Sequence, residues 1–179
     1  MKKFIALLFV LVCTLSIVGC NTQKTVSNPE VVPEDFSFAL TWGTYGISSY
    51  DSKTGKLVKT TDATHPEDYV TTCTLSDVQM KEIYALLHDL DISSYPATYD
   101  PINDPDSDLQ IMSEPSMTLI LTVRLNESEK TVACRDISMQ FKGYNEKSQK
   151  FLDVCKTIKD VLTATEEWKA LPEYEFLYD

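Results

Sequence analysis

Between residues 36 and 42 the chain reads FSFALTW, in which Phe36, Phe38, Leu40 and Trp42 alternate with Ser37, Ala39 and Thr41. A period of two places the four large side chains on one side and predicts a half-buried strand. ISSYDSKTGKLVKTT follows, where Asp51 and Gly55 punctuate a hairpin turn and Leu57 and Val58 sit in the return strand. A third strand is expected over residues 69–74. The period then changes. In SDVQMKEIYALLHDL, Ser76 and Gln79 have the spacing of a capping box, and Leu75 with Met80 that of a hydrophobic staple. Ile83, Leu86, Leu87 and Leu90 form one apolar helical face. Alternation returns in MTLILTVRL, with Met117, Leu119, Leu121, Val123 and Leu125 on one side, and NESE turns the chain into KTVACRD. Asn145 is placed to cap a long helix whose face carries Phe151, Val154, Cys155, Ile158, Val161 and Leu162. The tail TEEWKALPEYEFLYD starts as helix and is expected to break at Pro172. A strand with one apolar face must be covered, so the pattern predicts an α+β domain over residues 35–179. Its antiparallel sheet runs hairpin-helix, hairpin-helix, with the two main helices packed on one face.

The N-terminus follows a different pattern. Lys2 and Lys3 precede fifteen residues without charge, Phe4 to Val18. That is short of the ~20 apolar residues a spanning helix needs, and it has the parts of a secretory signal. Ile17, Val18, Gly19 and Cys20 end the run with an aliphatic residue, a permissive one, a small one and a thiol. This motif resembles the lipobox of bacterial lipoproteins. The resemblance implies a diacylglyceryl group on the Cys20 sulfur, cleavage before Cys20 and acylation of the new amino group. Residues 1–19 are then a signal peptide. Two or three acyl chains anchor stably where one does not. Asn21 after the cysteine would favour the outer membrane in a cell with two. The organisation of the whole chain is similar to that of small uncharacterised lipoproteins of bacterial cell envelopes, a likeness specific only at the lipobox and silent about activity.

Charge narrows the partners. The 179 residues carry 16 basic and 27 acidic side chains, net −11. Loss of Lys2 and Lys3 with the signal leaves 14 basic against the same 27 acidic residues, net −13. Nucleic acid is excluded as a partner, because binding it requires cations that displace counterions. The same acidity opposes lying flat on anionic lipid. Residues 20–34 combine the modified cysteine with a polar stretch containing Pro29 and Pro33, which reads as an extended tether. Fully stretched, such a tether reaches ~45–50 Å.

Candidate chemistry is sparse. The glycines after Cys20 stand singly, so no phosphate cradle exists, and neither a G-x-S-x-G elbow nor an H-E-x-x-H pair occurs. His65, in THPED, reads as a loop residue, although a base paired with Cys73 is the catalytic alternative. His88 falls near the end of the first helix, where a cation suits the dipole. Asp104, Asp106 and Asp108 alternate as calcium-loop ligands do, but Leu109 and Pro115 stand where an EF-hand needs glycine and glutamate. The stretch reads as a solvated proline-rich loop without a metal, with a looser calcium site as the alternative. Trp42 and Tyr45 could stack on a sugar or peptide, yet Trp42 continues the apolar alternation of its strand and is expected in the core, with Trp168 clamping the last helix. Cys73, Cys134 and Cys155 allow one disulfide at most, and three buried free thiols are the favoured reading.

Two functional classes remain, neither with a cofactor. One is a non-catalytic binding or interaction module, held through Cys20 at the outer face of a membrane and facing an envelope protein, peptide or glycan. The other is an envelope enzyme assembled from acidic residues and His65.

Overall fold

The computed structural model describes residues 31–44, 47–60, 68–138 and 142–173. Cys20, most of the expected tether, Tyr45 and His65 lie outside them. Within them, six strands form one antiparallel sheet: β1 (Ser37–Gly43), β2 (Ser48–Asp51), β3 (Lys56–Thr60), β4 (Asp68–Thr72), β5 (Met117–Leu125) and β6 (Ser128–Ile137). Their spatial order is β4-β3-β2-β1-β5-β6. The fold is therefore α+β. The first unit is a four-stranded meander, and the second hairpin docks back against β1. Helix α1 (Asp77–Leu90) follows β4, and α2 (Glu146–Thr163) and the single-turn α3 (Glu166–Lys169) follow β6.

Register explains which side is buried. Leu40 of β1 stands opposite Tyr50 on one flank and Leu121 on the other, Tyr50 opposite Leu57, and Leu121 opposite Val132. These five residues form a row across the inner face and join one core cluster with Ile83, Leu87 and Leu90 of α1 and Phe151, Ile158 and Leu162 of α2. The opposite face carries Ala39, Thr41, Ser49, Ile120, Thr122 and Ala133, all half-buried. Because the helices supply apolar stripes only to the inner face, side-chain alternation matches burial along β1 from Phe38 onward and along β2, whereas β3 is buried on both faces from Leu57 to Thr60.

The helix ends form as their sequences dictate. Ser76 Oγ accepts from the Gln79 N–H while Gln79 Oε1 accepts from the Ser76 N–H, a complete capping box. Asn145 accepts from the Ser148 N–H at 2.8 Å and starts α2. The β2–β3 turn needs Gly55: its φ is +70°, and a Cβ there would stand 3.1 Å from the Cys73 carbonyl oxygen. The Asn126–Glu127 turn has φ of 51° and 59°, the mirror-image geometry that suits a two-residue hairpin.

Two expectations shift at their boundaries. The strand expected over residues 69–74 is β4, which ends at Thr72, and Cys73 lies just beyond it, donating its N–H to the Gly55 carbonyl at 2.8 Å. The ordered fold also reaches into the expected tether. Val32 packs half-buried against the core, and the Phe36 N–H donates to the Pro33 carbonyl at 3.1 Å. Composition marks residues 31–34 as linker because they are short and proline-containing, but one valine with a neighbouring apolar surface is enough to dock them. A fragment beginning at Asp35 should still unfold cooperatively, yet be less stable than one beginning at Val31 by ~1–2 kcal/mol, for the lost burial and hydrogen bond. Urea titration of the two measures this, and coincident midpoints would show that residues 31–34 add nothing.

Candidate binding cleft

The start of β1, the β2–β3 turn and the β5–β6 turn meet at one end of the sheet. Asp35, just before β1, accepts through Oδ2 from the Asn126 N–H and so ties the N-terminal entry to the second hairpin. Arg124, near the end of β5, forms ion pairs with Asp51 at 3.3 Å and Glu129 at 2.7 Å. The Glu129 carboxylate, then its neighbour Asp51, holds the guanidinium more firmly protonated than usual. The tied Arg124 forms part of an open cleft of about 640 Å³ whose walls include Glu34, Asp35 and Glu127.

A second hollow of about 370 Å³ adjoins it between α1 and the β5–β6 hairpin. The two share Phe36, Leu125, Ser128 and Glu129 and so form one surface. Phe36, Tyr84, Leu87 and Ile92 make its apolar floor, with the Phe36 and Tyr84 rings edge to face at 4.8 Å. His88 lies exposed at its rim with its ring 6.0 Å from that of Tyr84. This histidine reads from sequence as a helix-end residue. The structure confirms its place in the last turn and adds that it borders the hollow.

The other sequence candidates do not converge here. Trp42 is buried and packs on Trp168 at 5.5 Å between ring centres, which is the core role expected of both. Asp104, Asp106 and Asp108 remain on an exposed loop. That loop is organised by its own side chains: Asp100 accepts from the Ile102 and Asn103 N–H groups, and Asn103 bridges to the Ile111 backbone. Among the described residues, no three His, Cys, Asp or Glu side chains gather as a metal site would require. No described helix is long and apolar enough to cross a membrane.

The three thiols are free and buried. Burial pushes Cys134 from its ordinary 9.0 up to about 12, with Asp100 adding to the effect, and raises Cys155 well above that ordinary value. Cys73 is raised too, by burial first; its thiol sits 3.8 Å from Glu167 Oε2 and donates to it. A thiol held protonated beside a carboxylate is a poor nucleophile.

Lys59 was not singled out by sequence reasoning. It follows Leu57 by two, so it points to the inner face, and it is only 2% exposed. Its ammonium lies 5.0 Å from the centre of the Trp168 ring and 3.9 Å from Glu173 Oε2, which pins the C-terminal segment over the end of β3. Period-two placement from Leu57 is the signal that turns it inward, against the usual preference of lysine for solvent. The cleft has no local signal, because its walls come from segments as far apart as Asp35 and Glu127, and no sequence pattern joins them.

No protein-family model matches the chain, and no curated protein matches it.

Raised thiol pKa values make stability depend on alkaline pH. Cys134 ionises near 9.0 when unfolded and at about 12 when folded, so its contribution is complete below pH 9 and lost as pH climbs toward 12. Tyr50 and Tyr95, raised by burial from 10.0 to about 12, act in the same direction from pH 10 upward. The melting temperature should fall steadily above pH 9, and Cys134→Ala should flatten the first part of that fall. A flat profile from pH 8 to 11 would contradict the assignment.

Proposed function

We propose that the protein is a lipid-anchored extracytoplasmic lipoprotein whose domain acts as a non-catalytic binding module of the cell envelope. The observation that carries the proposal is the order of parts at the N-terminus: Lys2 and Lys3, an uncharged run, then Ile17, Val18, Gly19 and Cys20. Lipid on Cys20 confines the domain to the membrane surface, and the tether lets it stand off. An acidic domain on an anionic surface is repelled from it, which keeps its faces open to other envelope components.

Two features favour binding over catalysis. The Cys73 thiol, the partner that a His65-based mechanism would use, is buried and kept protonated. One end of the sheet carries a cleft with an apolar floor and a charged rim, a combination that orients a ligand.

Two measurements test this proposal. Mass spectrometry of the mature N-terminus should find an acylated cysteine at position 20, and Cys20→Ala should leave an uncleaved precursor without lipid. An unmodified N-terminus anywhere in residues 20–30 would overturn the anchor. Crosslinking in intact cells should trap a specific envelope partner with His65→Ala as efficiently as with the unaltered chain. A deletion phenotype that persists with His65→Ala, at normal protein levels, would instead favour an enzyme.

A further inference from the structure

We propose that the joined clefts at the tether end of the sheet bind an extended basic peptide segment of an envelope protein, seating one large apolar side chain between flanking lysines or arginines. This rests on the binding-module reading and gives it a place and a partner chemistry. The apolar anchor follows from the floor. Tyr84 and Leu87 on one side and Val123 and Leu125 on the other line a hollow of about 370 Å³, enough for one aromatic or aliphatic group.

The flanking cations follow from the rim. Glu34, Asp35, Glu127, Glu129 and Asp91 stand around the combined cleft against Lys53, Lys130 and Arg124. Arg124 is already held between Asp51 and Glu129, which leaves Glu34, Asp35, Glu127 and Asp91 against Lys53 and Lys130 on the rim. The whole chain carries net −11, so the long-range field steers the same sign of ligand toward the cleft. Anionic lipid and nucleic acid are repelled by both. A simple polyamine matches the rim but leaves the floor unfilled. The two hollows meet at Phe36 and Leu125, so the surface is elongated and suits several consecutive residues.

The test uses the full chain in phosphatidylcholine nanodiscs, titrated against the fluorescent hexapeptide Lys-Lys-Phe-Leu-Lys-Lys with empty nanodiscs as blank. Anisotropy should report saturable binding that weakens several-fold between low and moderate salt. Replacing the central Phe-Leu by Ser-Ser, or all four lysines by glutamates, should each weaken it by about tenfold or more. Leu125→Lys, which puts a cation at the junction of the hollows, and Glu127→Lys, on the exposed turn, should each weaken binding several-fold while circular dichroism stays unchanged. Binding to empty nanodiscs alone, absence of saturable binding, or equal binding by both variants would overturn the proposal. A partner trapped in cells by a chain that binds no such peptide would remove the cleft assignment and leave the binding-module reading standing.

Discussion

β1 lies between the two halves of the sheet and hydrogen-bonds to both, with β2 along one edge and β5 along the other. Phe38, Leu40 and Trp42 all face the helices, so the register of this strand decides which side of every neighbour is buried. A slip of one residue would turn Thr41 and Ala39 toward α2 and the aromatic residues toward water. The same strand fixes both ends of the domain. At its start Phe36 packs on Tyr84 of α1, and near its end Trp42 packs on Trp168 of α3. Helices, tail and cleft are thus referred to one seven-residue strand.

The second hairpin is held to this frame from outside as well. Residues 97–99 run beside β6, with the Tyr99 N–H donating to the Ala133 carbonyl and the Ala133 N–H to the Ala97 carbonyl. Tyr95, Tyr99 and Phe151 then form an aromatic cluster with ring centres 5.3–5.7 Å apart. The Tyr95 hydroxyl donates to the Lys147 carbonyl, and that of Tyr99 bonds Ser148 at the first turn of α2. The connection after α1 is therefore a packed strap, and the acidic loop that follows starts from a fixed point.

The strands, their buried sides and the helix caps were legible because each depends on neighbours within a few residues. The capping box at Ser76 and Gln79 and the cap at Asn145 are local hydrogen bonds, and the alternation in 36–42 is a local pattern. Strand order was not legible: nothing in MTLILTVRL indicates that it docks against β1 rather than β4. Val32 and Lys59 escaped because their burial is decided by what lies above them, the core edge in one case and the Trp168 ring in the other. The cleft escaped because its floor joins Phe36 at the chain entry to Tyr84 and Leu87 of α1, and its rim comes from two turns. The run ending at Cys20 is the converse case, a purely linear pattern whose reading owes nothing to the fold.

Burial on the inner face of β1 holds the domain together, and paired substitutions in the middle of that strand separate its two faces. Leu40 is fully buried, whereas its neighbour Thr41 lies half-buried on the other face. Urea denaturation of Leu40→Ala should show a loss of ~2–5 kcal/mol. Thr41→Ala should cost under ~1 kcal/mol, the span of strand propensity. Losses of equal size at the two positions would contradict a one-sided core and the register on which the rest of the account depends.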